Sequence, residues 1–108
     1  MKTIYNKLVR DKIPEIIEGQ GKKANYHILS EEEFIEALKD KLIEEAKELK
    51  EAKTIDEIIE ELVDILEVYY SLMEASDISG GTIYEVGLNK IEKKGGFYKK
   101  IFLESVEE

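Results

Sequence analysis

The chain has 108 residues, 43% of them hydrophobic, enough for one small domain with an apolar core. Charged residues make up 38% of it and the net charge is -9, a mean field that repels nucleic acid, anionic lipid and free polyphosphate, so a polyanionic ligand would need a cation to bring it in. There is no cysteine and one histidine, which excludes disulfides, thiol catalysis and Cys- or His-rich metal sites and leaves oxygen ligands as the main metal-binding resource.

In chain order, Pro14 in DKIPEIIEGQG suits the first turn of a short helix that ends at Gly19, followed by a loop around Gly21. Tyr26 to Leu29, and later Phe97 to Leu103, have the β-propensity of short extended pieces packed against each other, with His27 a partly buried strand residue. Three pairs then repeat one signature, a Ser or Thr with Glu three residues later: Ser30/Glu33, Thr54/Glu57 and Thr82/Glu85. Each side chain of such a pair can satisfy a free backbone N–H of a helical first turn, which predicts helices over 31 to 52, 55 to 75 and 83 to 94, the last stopped by Gly95-Gly96. The short connection between the two long helices makes them antiparallel neighbours.

The predicted class is therefore all-α: an antiparallel hairpin plus a third helix in a single domain over 1–108, with short extended terminal segments. Ile35, Leu38, Leu42, Ala46 and Leu49 form the apolar stripe of the first long helix, and Ile58, Leu62, Ile65, Leu66, Tyr69 and Met73 that of the second. Val63, Tyr70 and the other flank of the second helix are left uncovered, which predicts self-association, two hairpins building a four-helix core. No run reaches the roughly 20 apolar residues of a membrane span and the start lacks a signal-peptide segment, so a cytoplasmic location is expected.

Two carboxylates break the stripes. Glu45 lies three after Leu42 and four before Leu49; Glu61 lies three after Ile58 and four before Ile65. Glu48 and Asp64 follow one turn later, so each helix offers an acidic pair and the hairpin can bring both pairs to one level. Burying four carboxylates without a counter-charge is untenable, and a divalent cation resolves it, Mg²⁺ or Mn²⁺ being suited to oxygen donors shared with substrate phosphates. A wet groove or a polar contact between copies is the other reading, since 25 acids produce such spacings by chance.

The pattern Glu44-Glu45-x-x-Glu48, a short connection, then Glu61-x-x-Asp64 resembles the signature of the MazG-like all-α NTP pyrophosphohydrolases. The flanks YNKLVRDKIPEII, HILSEEEF and KKGGFYKKIFLE are similar to its small house-cleaning branch, often labelled phosphoribosyl-ATP pyrophosphohydrolase-like. The resemblance implies Mg²⁺-dependent hydrolysis of a nucleoside triphosphate, canonical or not, to the monophosphate and pyrophosphate by a homodimer or homotetramer. It implies Glu45, Glu48, Glu61 and Asp64 as metal ligands and Glu44 as the acid that orients or activates water. Lys90 and Lys94 match basic positions of that branch, where the second is commonly Arg, and Lys41 stands one turn before Glu45. Taken alone, each of these lysines reads first as a solvated charge. Arg10, the sole arginine, holds a phosphate or pairs with Asp11 or another acid. Tyr5, Tyr69, Tyr70, Phe97 and Tyr98 are the aromatics available to stack on a base. Nothing in the chain specifies the ribosyl-adenine of phosphoribosyl-ATP. Two rival readings remain: a non-catalytic helical nucleotide-binding or assembly module, and hydrolysis of another nucleotide pyrophosphate.

Overall fold

A computed structural model describes all residues, Met1–Glu108. It contains four helices and no strand: α1 (Ile13–Gly19), α2 (Glu31–Glu51), α3 (Ile55–Ala75) and α4 (Gly80–Lys94). The chain divides into two units, Met1–Asp77 with the first three helices and Ile78–Glu108 with the fourth. No helix is long and apolar enough to cross a membrane.

In the first unit the hairpin of α2 and α3 is framed by its caps. Ser30 Oγ accepts from the Glu33 amide at 3.3 Å while Glu33 Oε1 accepts from the Ser30 amide at 3.0 Å, the reciprocal box expected from sequence. Thr54 Oγ1 likewise accepts from the Glu57 amide at 3.1 Å, but its hydroxyl donates to the Glu57 carboxylate, so that acid supports the cap side chain in place of the cap backbone. Between Glu51 and Ile55 only three residues turn the chain, which is why the helices run back along each other. Upstream, Pro14 sits in the first turn of α1, and Gly21 takes a φ of 79° after its end, a left-handed conformation that glycine adopts without strain.

The helix of the second unit starts earlier than the Thr82/Glu85 pair predicts. Ser79 is the cap, accepting from the Thr82 amide at 3.1 Å and lying 2.9 Å from the Thr82 hydroxyl. Two cap residues three apart compete for one helix frame, and the upstream one wins here by adding a turn through Gly80-Gly81, whose amides need no intrahelical partner at that position.

Three other expectations need correction. Tyr26–Leu29 and Phe97–Leu103 form no strand; the second is broken by a turn in which the Lys100 amide donates to the Phe97 carbonyl. A β-propensity describes fit to a pleated, half-buried surface, and neither segment has a ladder partner. His27 is exposed, not partly buried.

The α3 stripe is also rotated from the predicted one. The buried apolar residues are Leu38 on α2 and Val68 on α3, flanked by half-buried Ile35, Leu42, Leu49, Ile58, Ile65 and Leu72. Leu62, Leu66 and Tyr69 are exposed instead, and so is Ala46. Because the apolar arc of α3 is wider than one contact face, periodicity supplies two acceptable faces; the face on α2 is Ile58, Glu61, Ile65, Val68 and Leu72, spaced three and four apart. The other face, with Ile59, Leu62, Val63, Leu66 and Tyr70 each about half exposed, is left open.

Candidate metal centre

On this hairpin α2 supplies Glu44, Glu45 and Glu48, and α3 supplies Glu61 and Asp64. One carboxylate oxygen from each of Glu45, Glu61 and Asp64 lies within 4.8 Å of the others. Glu48 stands outside that triad, exposed at the rim, although near enough to act on both glutamates.

Glu45 is the centre of the cluster. Its side chain is 6% exposed and its one ion pair is with Lys41, whose Nζ lies 3.4 Å from Oε1. The second oxygen, Oε2, is buried with no hydrogen-bond partner, and so is Oε2 of Glu61. Burial first, then the Glu48 carboxylate, pushes Glu45 up to about 7, and burial with the same neighbour also raises Glu61. Orphaned buried carboxylate oxygens are costly in a folded protein, and two of them in one acidic cluster suit a hard divalent cation. The residues present therefore fit a divalent cation, which Glu45, Glu61 and Asp64 could hold.

Basic groups surround the acids. Lys41 is largely buried and lies 3.1 Å from Glu44 Oε2 as well as close to Glu45. Lys7 Nζ donates to Glu44 Oε1 at 3.1 Å, and Arg10 Nη2 donates to Asp64 Oδ1 at 2.7 Å. Of the partners open to Arg10, the acid chosen is Asp64, not Asp11. Burial works against the Glu44 charge, but Lys7 and then Lys41 outweigh it and hold the carboxyl below its ordinary value. Sequence reasoning missed Lys7 and Glu67: the first pairs across 37 residues, a separation that no periodicity reports, and the second lay beyond the recognised acidic pattern although it follows Asp64 by one turn.

A cleft of about 470 Å³ opens between the segment before α1 and the hairpin. Lys7, Arg10, Lys41, Glu45, Asp64 and Glu67 give it polar walls, and Leu8, Phe34 and Val68 an apolar floor. Lys90 and Lys94 are exposed on α4, in the second unit. Phe97 and Tyr98 are exposed there too, while Tyr5, Tyr69 and Tyr70 are exposed in the first unit, the last two packed edge to face with ring centres 5.3 Å apart.

A family model described as phosphoribosyl-ATP pyrophosphohydrolase matches residues 8–87, a stretch that holds Arg10, Lys41 and all five acids and ends before Lys90. The chain is also similar to an uncharacterized protein of Mycolicibacterium smegmatis (strain ATCC 700084 / mc(2)155), 45% identical over 53 residues that cover 49% of this chain and 54% of that protein. It thus spans about half the length of this curated relative. No solved structure matches. With its acidic hairpin inside the matched region, the chain belongs to the phosphoribosyl-ATP pyrophosphohydrolase family, within the MazG-like all-α NTP pyrophosphohydrolases.

Proposed function

We propose that the protein hydrolyses nucleoside triphosphates, canonical or non-canonical, to the monophosphate and pyrophosphate with Mg²⁺ or Mn²⁺ as cofactor. The observation that carries this reading is the Glu45 carboxylate, buried beside Glu61 and Asp64 with an oxygen that nothing in the protein satisfies. A bound divalent cation supplies charge for phosphate oxygens and an acidified water. Glu45, Glu61 and Asp64 hold it, with Glu48 at the rim completing the set, while Glu44 orients the water beside it. Lys41, fixed between two acids on α2, favours the ionised form of Glu44 and holds both carboxylates in place. The cleft volume falls within the range of about 300–1,000 Å³ usual for small-ligand pockets.

The test is hydrolysis of a panel of canonical, deoxy and damaged nucleoside triphosphates, phosphoribosyl-ATP, and nucleotide-sugar and dinucleotide pyrophosphates, with Mg²⁺ or EDTA, reading pyrophosphate and monophosphate separately. Metal-dependent pyrophosphate release from triphosphates is the expected outcome. Preferred turnover of phosphoribosyl-ATP, which the family description favours, would move the substrate but keep the site. Metal binding without turnover of any compound would leave a nucleotide-binding module and sink the enzyme reading.

The open α3 face calls for a partner, and a second copy of this chain is the occupant proposed, cytoplasmic and two-fold related. Ile59, Leu62, Val63, Leu66 and Tyr70 make a contiguous apolar strip that water alone covers poorly. Light scattering at micromolar concentration is expected to give two or four times the 12.5 kDa chain mass, and Leu66→Glu to lower it. A monomeric wild type would remove the proposal.

A further inference from the structure

The side-chain hydrogen bonds of this chain divide sharply by reach. Seven of the nine span three residues; the other two are Lys7 to Glu44 and Arg10 to Asp64, across 37 and 54. Both long ones tie the irregular segment before α1 to carboxylates of the hairpin, and this segment also forms one wall of the cleft.

The pairing consumes every cation of the cleft. Lys41 is held between Glu44 and Glu45, Lys7 sits on Glu44 and Arg10 on Asp64, so a phosphate entering the metal-free site meets no free positive charge. The three cations differ in mobility. Lys41 is largely buried on a long helix, whereas the Lys7 and Arg10 side chains are 42% and 54% exposed on a segment without helical hydrogen bonds. Ion pairs so exposed are weak and exchange readily. Arg10 also gives Asp64 a single Nη2 donor, leaving most of its five N–H groups free to engage the fork of a phosphate.

Resting on the metal-dependent phosphate chemistry proposed above, we propose that Lys7 and Arg10 form a counter-ion latch which the divalent cation opens. In the metal-free protein they neutralise Glu44 and Asp64; when a cation takes the Asp64 charge and its field weakens the hold of the neighbouring Glu44 on Lys7, the two side chains turn into the cleft and bind the phosphate oxygens of the nucleotide. Arg10 thereby opposes metal binding and supports phosphate binding, two effects of opposite sign from one residue. Linkage makes the couplings reciprocal, so metal raises phosphate affinity by the same factor that phosphate raises metal affinity.

The experiment measures Mn²⁺ binding alone, by loss of the free-ion electron paramagnetic resonance signal, and inorganic pyrophosphate binding by calorimetry at saturating Mg²⁺, for wild type, Arg10→Gln and Arg10→Lys. Arg10→Gln is expected to bind Mn²⁺ about fivefold more tightly and pyrophosphate about tenfold more weakly, and Arg10→Lys to recover Mn²⁺ affinity towards wild type while regaining part of the pyrophosphate loss. A tighter metal affinity cannot arise from unfolding, so it separates exchange from structural damage. Weaker or unchanged Mn²⁺ binding in Arg10→Gln overturns the latch and makes Arg10 a support for the Asp64 orientation. Unchanged pyrophosphate binding overturns it as well. Wild-type protein that binds no Mn²⁺ removes the metal reading itself, an outcome distinct from failure of the latch.

Discussion

Glu45→Gln is expected to be more stable than wild type in EDTA at pH 8, to lose its thermal response to Mg²⁺ and to lose turnover by about 10³-fold, the scale on which groups that organise transition-state charge act. These three effects have one origin. At pH 8 the wild-type carboxylate is ionised in a position that is 6% exposed, with Lys41 at 3.4 Å on one oxygen and no partner on the other. An amide of nearly the same shape removes the desolvated charge and its repulsion by Glu48, Glu61 and Asp64, for a gain of about 1–3 kcal/mol. In a domain near this size that is several degrees of melting temperature per kcal/mol, about 4–8 °C each. Wild type recovers the difference when metal binds the folded state, about 2.7 kcal/mol at a concentration one hundred times Kd, and the amide cannot. Glu48→Gln, at the exposed rim, relieves the same repulsion without removing a buried charge, so it is expected to give only part of the EDTA gain. A Glu45→Gln protein that melts below wild type in EDTA would falsify the metal reading, because the Lys41 pair would then be a structural ion pair that the fold needs.

What the chain discloses about itself depends on the distance over which each signal acts. Caps are local, and Ser30/Glu33 and Thr54/Glu57 locate two helix starts correctly; the miss at Thr82 arose where a second local candidate, Ser79, stood one turn upstream. Glu45 and Glu61 were legible because a charged residue at an apolar position breaks a short-range pattern, and both lie on the face between α2 and α3. Val68 was not legible, since on a helix with so wide an apolar arc the pattern fits the face with Leu62, Leu66 and Tyr69 equally well. Choosing between them requires α2, which is tertiary information. The same holds for the segment before α1. Lys7 and Arg10 carry no mark of their partners, and only the fold brings them to Glu44 and Asp64.

The fall of stability with pH in the metal-free protein is expected to be offset when metal is added. Glu45 has its folded value raised from 4.5 to about 7, so between those values the folded state holds a proton that the unfolded state has released. Stability from this group is fully present below 4.5 and is lost as pH rises through 7, a decline of about 3 kcal/mol. Glu61, also raised, adds to the fall in the same direction. Glu44 acts oppositely: its lowered value gives stability that is present above 4.5 and lost as pH drops further, so the metal-free protein should be most stable near pH 5. Metal binds the ionised carboxylates and must displace the Glu45 proton, hence its affinity climbs through the same window in which the metal-free fold weakens. Urea melts at pH 5, 6, 7 and 8 in EDTA and in Mg²⁺ check both limbs: declining stability in EDTA, a Mg²⁺ increment that grows from small at pH 5 to full at pH 8, and for Glu45→Gln a shallower EDTA decline, the remainder coming from Glu61. If wild type in EDTA instead gained stability from pH 5 to 8, the Glu45 charge would be compensated within the protein alone, and no cation would be needed to explain why an acid occupies the apolar seam of the hairpin.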